Sequence, residues 1–493
     1  MPTLTIHQGG VRRTLRFEGA PLLSELLGTA LQRPCGGRGV CGKCAVELHG
    51  AVSEPNAAEQ RAGTRLACQA RLLGDAEAIL PEKADLEQIE ISGGAALSAV
   101  DPMEGRLGAA VDVGTTTLAL RLYELHTGAL LGEAAILNPQ TSVAADVMGR
   151  IGAALSGALL ALQAQVQQAI QALLADACAK AGRPVGQVDA LVVAGNTTML
   201  YLLAGRNPES LSRAPFAADC LFGETARLME HDCYLPPCMN AFVGADITCA
   251  VLESGMCDSD QIALLCDVGT NGEIALWKRG ELFVSSTAAG PAFEGAGISC
   301  GCSSVRGAID RAWAMDGVLH VHTIGETEAV GICGSGLIDV IAAALQLGWI
   351  DETGAMDDDR IELSPGVDLL PKDVRAVQLA KAAIAAGIET LLEEADVRPS
   401  EIETFYIAGG FGSHLNVKSA AAIGLIPSEL SSRVRCIGNA SLAGAARLLL
   451  NRSAVHAAEI IAERSRHVAL GGNPRFNSHY IDQMLFLDDC EED

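Results

Sequence analysis

Positive charge is scarce in this sequence: 35 lysines and arginines stand against 60 aspartates and glutamates in 493 residues, a net charge of −25. So acidic a chain disfavours nucleic acid and anionic membranes as partners, because both repel a negative surface. The deficit is uneven. Residues 1–80 hold nine Lys and Arg against seven Asp and Glu, so the remaining 413 residues carry −27. A near-neutral first segment beside an acidic body suits docking of one on the other, or of the first on an acidic partner; plain solvated charge explains it as simply. Long apolar runs are missing as well. No segment offers about 18 uninterrupted apolar residues, and even the stretch 334–350 contains Asp339 and Gln346, so no membrane is expected. Met1 to Ile6 alternates like a strand, with neither the basic start nor the apolar core of a secretion leader. That predicts a cytoplasmic protein.

Sixteen cysteines are present, but there is no second C-x2-C-x2-C run. Cys233 with Cys238, and Cys300 with Cys302, lack a companion pair or a histidine at ligand spacing, and read as small buried thiols. A cytoplasmic chain disfavours disulfides. What the sequence does have is Cys35, Cys41 and Cys44 at C-x5-C-x2-C, with Cys68 a further 24 positions on. This is close to the plant-type C-x4-C-x2-C…C spacing that holds a [2Fe–2S] cluster through four thiolates. Structural zinc usually pairs two short C-x2-C knuckles, whereas here three ligands share one loop. Gly36, Gly37, Gly39 and Gly42 let such a loop point its sulfurs inward and its N–H groups towards them. The expected metal ligands are therefore Cys35, Cys41, Cys44 and Cys68.

With 49% hydrophobic and 19% charged residues, the chain has material for several buried cores, and its length predicts two to four domains. Strands are expected at 2–7 and 12–18, a short helix over 20–30, and further strands near 44–49, 65–70 and 76–80. That order resembles a β-grasp ferredoxin over about the first 80 residues. The expected division is a ferredoxin-type domain at 1–82, a linker at 83–105 in a stretch of mixed Glu, Lys, Gly, Ser and Pro, a middle domain or first lobe segment at 106–186, and a large final domain at 187–493.

After the linker, Leu107 to Leu122 is an apolar strand ending in Asp112-Val-Gly114-Thr115-Thr116-Thr117, followed by a second strand. A very similar unit returns about 155 residues later, where Ile262 to Leu276 carries Asp267-Val-Gly269-Thr270-Asn271-Gly272. Each carboxylate ends a buried strand, where it reaches Mg²⁺ directly or through water, while turn hydroxyls and N–H groups face phosphate oxygens. One such turn is weak evidence; two, each between apolar strands, are strong.

The repeat resembles the actin, sugar-kinase and heat-shock-chaperone ATPases, in which two ribonuclease-H-like lobes clamp ATP between paired phosphate hairpins. The further motifs of that fold follow in order. Val243 to Leu252 reads as a first connecting helix, and Phe405 to Ser413, with Gly409, Gly410, Phe411 and Gly412, resembles an adenosine turn. Ile437 to Ala446 reads as a second connecting helix. Two segments rank lower: Gly331 to Asp339 opens an apolar helix with glycines that serve phosphate capping or packing alike, and Asn196 follows a strand at 188–194. The expected fold is α+β and α/β multidomain, a β-grasp [2Fe–2S] domain before a two-lobed actin-type ATPase, with 187–493 as the actin-like ATPase domain.

A ferredoxin domain fused to such an ATPase, with Val111 to Thr117 and Gly290-Pro-Ala-Phe-Glu-Gly-Ala-Gly-Ile-Ser-Cys-Gly301, looks like the reductive activators of corrinoid proteins. The resemblance implies that ATP drives one electron to the cobalt of a corrinoid protein in a methyltransferase system, returning Co(II) to Co(I), with a low-potential electron donor upstream. It implies Asp112 and Asp267 for the Mg²⁺–phosphate site, the two turns for phosphate, and the glycines at 409, 410 and 412 for the nucleoside. A homodimer is allowed but not required. Two alternatives stay open: an activator of 2-hydroxyacyl-CoA dehydratases, in which Cys300 or Cys333 would bridge a cluster between subunits, and a redox-sensing nucleotide-binding module without turnover.

Overall fold

The structure, a computed structural model, describes residues 1–27, 31, 39, 44–80, 101–409 and 415–486. Near the N-terminus five strands form one sheet in the order Val11–Arg16, Thr3–Gln8, Leu72–Ile79, Ala45–Val52, Arg65–Leu66. Thr3–Gln8 runs parallel to Leu72–Ile79 and antiparallel to Val11–Arg16, the pairing of a β-grasp. Alternation explains the core: Leu4 and Ile6 point inward with Leu23, Leu27, Leu48, Leu66 and Leu72. The strand expected over 65–70 is confined to Arg65–Leu66. A helix at Ala57–Ala62, capped by Asn56 and Glu59, was not expected there. Its capping box sits in the sequence as Asn56-x-x-Glu59, outside the strand pattern that drew the reading. Of the helix expected over 20–30, Leu23–Leu27 is described.

The rest of the chain holds two six-stranded sheets that share a five-strand topology. The first is ordered Glu224–Leu228, His231–Leu235, Val188–Gly195, Leu107–Val113, Thr117–Glu124, Ala129–Leu137. The second is ordered Val434–Gly438, Thr404–Ala408, Ala263–Val268, Gly272–Lys278, Glu281–Thr287, Ser465–His467. In each, three consecutive strands form an antiparallel meander and two later strands add in parallel on the side of its first strand; the sixth strand differs, Glu224–Leu228 joining His231–Leu235 antiparallel in the first sheet and Ser465–His467 joining Glu281–Thr287 at the opposite edge of the second. This duplicated ribonuclease-H-like sheet is what two Asp-Val-Gly-Thr units 155 residues apart imply. The boundary expected at 186/187 instead falls within the first sheet, because Val188–Gly195 pairs directly with Leu107–Val113. The parallel pairing carries the lobe on to Leu235.

Between the two sheets lie the helices Ala245–Ser254 and Ala440–Leu450, in one core with Val192, Ala194, Leu265, Ala275 and Ala408. They approach closely because Gly444 has no side chain: a Cβ there would stand 2.1 Å from the carbonyl oxygen of Cys249. The outer face of the first sheet is covered by Leu159–Lys180 through Leu162, Val166, Ile170, Leu173 and Leu174. The helical run 147–180 has the length and composition of a membrane span, yet it is broken at Gly157 (φ 100°) and interrupted by glutamines 163, 165, 167 and 168. Its buried face packs on the sheet. The second sheet is covered by Gly334–Gln346 and Pro371–Glu394, whose apolar faces fill a separate core with Leu264, Ile274 and Phe405. Linker residues 83–100 lie outside the described residues; its last part docks on the ATPase, Met103 N–H donating to Leu449 O at 2.9 Å and Asp101 pairing with Arg452 at 2.7 Å.

Candidate functional site

Both Asp-Val-Gly-Thr turns open into one cleft of about 300 Å³ between the sheets, at the small end of ligand-pocket sizes. It is lined by Asp112, Gly114, Thr115, Thr116 and Thr117 from the first hairpin, and by Asp267, Gly269, Thr270 and Asn271 from the second. Gly409 lines it too; Gly410, Phe411 and Gly412 lie outside the described residues. Gly272, expected in the site, is buried away from the cleft lining, and a Cβ there would stand 2.8 Å from both Ile384 Cγ1 and Thr287 Oγ1, so close packing requires its bareness. Gly114 is needed by the turn itself. Its N–H donates to Thr117 O at 3.0 Å, and a Cβ would stand 2.6 Å from that oxygen.

Asp112 is held from across the cleft. Asn439 Nδ2 donates to its Oδ2 at 2.9 Å and Ser441 Oγ to its Oδ1 at 2.8 Å. Asn439 at the same time caps Ala440–Leu450, accepting from Leu442 N–H at 2.8 Å. One side chain thus fixes a helix terminus and aims a carboxylate of the other lobe. Asn196 does similar work: it caps Thr197–Ala204 and donates to Thr115 Oγ1 at 3.1 Å. The lower-ranked reading of Asn196 gains a place in the cleft. Of Gly331 to Asp339, Gly334 and Ser335 line the cleft, whereas Gly336 backs onto Ile309 O, where a Cβ would stand at 2.0 Å.

Among the described residues five carboxylates face this cleft, from Asp112, Asp246, Asp267, Glu273 and Glu294, and the lining they form contains no lysine or arginine. Their mutual field shows in their titration. Burial first, then the charges of Asp112 and Glu294, push Asp267 up to about 7. Burial, then Asp267 and Asp112, push Asp246 up to about 8. Asp112 is raised by burial against the hydrogen bonds from Ser441 and Asn439, and Glu273 is raised by burial and by Asp246 and Asp267. Among the described residues no three of these carboxylates converge into a ready-made cation cluster; Asp112 and Asp267, each near the end of a strand, are the oxygen donors that would take a divalent cation such as Mg²⁺, whose charge would relieve the repulsion. Behind the first turn sits Arg150, fully buried, donating to Thr115 O at 2.5 Å, to Ala144 O at 3.1 Å and to Gln140 Oε1 at 3.2 Å. Burial draws its pKa down to about 10. It remains charged and lends the turn a positive field suited to phosphate.

Asp246, Glu273, Glu294, Asn439, Ser441 and Arg150 were not expected as site residues. Asp246 and Asn439 stand inside the connecting-helix motifs, and Glu294 inside Gly290–Gly301, so position within a motif was the available signal. Arg150 had none: it is one arginine in a helix, and its burial is a tertiary event.

In the ferredoxin domain Cys44 and Cys68 are both buried, while Cys35 and Cys41 lie outside the described residues. Cys68 is drawn down to about 6, chiefly by a hydrogen bond from Cys44, with further help from Gln69 and from the backbone of Gly39. A sulfur that favours the thiolate and already collects N–H donors has the chemistry of a cluster ligand. Cys333, by contrast, is 1% exposed inside the second lobe, which leaves it unable to bridge a cluster to another subunit.

Comparison with known proteins agrees along the whole chain. Residues 6–73 match the family described as a 2Fe-2S iron-sulfur cluster binding domain, 107–259 the RACo middle region, and 261–492 the C-terminal domain of RACo, the ASKHA domain. The chain is 33% identical over 421 residues to the corrinoid activation enzyme RamQ of Eubacterium limosum, covering 77% of this chain and 70% of that protein. It is 29% identical over 344 residues to the [Co(II) methylated amine-specific corrinoid protein] reductase of Methanosarcina barkeri, covering 61% and 63%. A solved reductive activator for corrinoid, iron-sulfur protein superposes with a TM-score of 0.74 at 26% identity, covering 98% of both chains.

Proposed function

The chain belongs to the family of reductive activators of corrinoid proteins, and from that premise we propose that it couples ATP turnover in the two-lobed cleft to one-electron reduction of a corrinoid protein, Co(II) to Co(I). The observation that carries this is the meeting of both Asp-Val-Gly-Thr hairpins in one carboxylate-lined cleft, on the same chain as a ferredoxin domain. The relatives named for acting on corrinoid proteins support the substrate class.

Asp112 and Asp267 are the residues that would hold Mg²⁺, Asp112 pre-aimed by Asn439 and Ser441. Hydroxyls and N–H groups of Thr115, Thr116, Thr117, Gly269, Thr270 and Asn271 would receive phosphates, with Arg150 supplying a fixed positive field behind the first turn. Gly409, Gly410, Phe411 and Gly412 are assigned to the nucleoside, and Cys35, Cys41, Cys44 and Cys68 to the cluster. When bound, a [2Fe–2S] cluster supplies a one-electron carrier near about −400 mV. An acceptor below that potential is reduced roughly tenfold less for each 59 mV, so the lobes must add a bias. Their two hinge helices, packed through Gly444, let nucleotide state set the lobe angle and hence the surface offered to the corrinoid protein. The working partners are a corrinoid protein of a methyltransferase system and a low-potential donor, in the cytoplasm.

The test is direct. The protein is purified anaerobically, mixed with a Co(II) corrinoid protein and a low-potential reductant, and Co(I) absorbance is followed with and without MgATP. An ATP-dependent rise is expected; its absence with every corrinoid protein encoded beside this chain's gene would sink the reading.

A further inference from the structure

We propose that Glu294 is a carboxylate latch: it occupies the phosphate position between the two hairpins and must swing away before a nucleoside triphosphate can bind. The proposal rests on the assignment of the cleft to ATP. Glu294 Oε1 accepts from Thr270 Oγ1 at 2.7 Å, and Oε2 accepts from Thr116 Oγ1. The two threonine hydroxyls, one from each lobe, stand 3.5 Å apart. One carboxylate therefore takes up one hydroxyl donor from each turn, Thr116 and Thr270, at the point where a phosphate held by both hydroxyls must lie. An anion of the same charge cannot share those donors, so carboxylate and phosphate compete.

Local backbone decides what can move. Glu294 ends the short turn Pro291–Glu294, which is set between Gly290 (φ 82°) and Gly295 (φ 73°). Gly290 N–H donates to Thr270 O at 2.9 Å. Phe293 next to it is 2% exposed in the core of the second lobe. The main chain is thus anchored on both sides, and displacement falls to the glutamate side chain, whose three torsions swing it without unpacking the lobe. Arg150, behind the first turn, attracts Glu294 through space and would attract a phosphate in the same way. Exchange of one anion for the other replaces a protein-made tie between the lobes with a nucleotide-made one.

Binding of MgATP to the full-length, cluster-loaded protein tests the latch, using wild type, Glu294→Gln and Glu294→Ala, with far-UV circular dichroism and the cluster absorbance confirming the fold. Removal of the competing anion is expected to tighten MgATP binding about tenfold in the alanine variant, equivalent to about 1.4 kcal/mol, and by less in the glutamine variant, which keeps a neutral acceptor. A variant that binds where wild type does not supports the latch as well. Unchanged or weaker binding in both variants, with wild type binding normally, overturns it and makes Glu294 a ligand or base for the bound nucleotide. If neither wild type nor variant binds MgATP, the assignment of the cleft to ATP falls and takes the latch with it.

Discussion

At the scale of single residues the cleft is governed by crowded carboxylates. Asp267 lines the cleft in the second sheet, is assigned to the proposed Mg²⁺–phosphate site, and is far in sequence from every cysteine assigned to the cluster. Asp267→Asn is therefore expected to leave the visible spectrum of the cluster unchanged and to lower ATP-driven Co(I) formation by about 10²-fold or more, the usual scale for losing a charge-stabilising group. Loss of the cluster instead would show that the two parts are not separate. The same crowding gives a pH dependence. In the unfolded chain these aspartates titrate near about 4. In the folded one Asp267 is raised to about 7 and Asp246 to about 8. The folded state then binds more protons than the unfolded, so metal-free stability is greatest below pH 4 on this account and is lost as pH rises towards 8. Both groups line an open cleft, and solvent screening trims the effect. Thermal melts should show Mg²⁺ raising Tm more at pH 8 than at pH 6; equal gains at both would refute the assignment of cation binding to these carboxylates. The sequence made Asp112 and Asp267 legible because each ends an apolar strand at a glycine turn. It left Arg150 and Glu294 unread, since their roles depend on which distant turns face them.

At the scale of elements the two connecting helices decide whether the lobes stay in register. Ala440–Leu450 begins at Asn439, which both caps the helix and holds Asp112. Asn439→Ala should lower stability by about 1 kcal/mol through the lost cap and should also weaken nucleotide binding, which a cap on an unrelated helix would leave alone. Asn416→Ala, a cap at Val417–Ala422, serves as the comparison. Gly444→Ala meets the Cys249 carbonyl directly and should destabilise by about 1–3 kcal/mol, as overpacking does, read as a lower melting temperature. Helix positions and order were visible beforehand in small-residue patterns. The lobe boundary was not: Val188–Gly195 reads as an apolar strand wherever it lies, and only its parallel pairing with Leu107–Val113 assigns it to the first sheet.

At the scale of the whole molecule the cluster end and the ATPase end are separable in chemistry and joined in function. Cys68→Ser should abolish the cluster absorbance and corrinoid reduction together while MgATP binding persists; loss of nucleotide binding as well would show that the two ends fold as one unit. The sequence by itself determined the four-cysteine spacing, the duplicated strand–Asp-Gly-Thr–strand units and their order, because these are local patterns written over ten or twenty residues. The tertiary structure decided which lobe each strand serves, that five carboxylates share one cleft with no lysine or arginine among its described lining residues, and that a glutamate from one loop spans both Gly-Thr turns. Those are contacts between residues 24 to 329 positions apart, and no local period records them. They exist only because the two sheets pack face to face across Ala245–Ser254 and Ala440–Leu450.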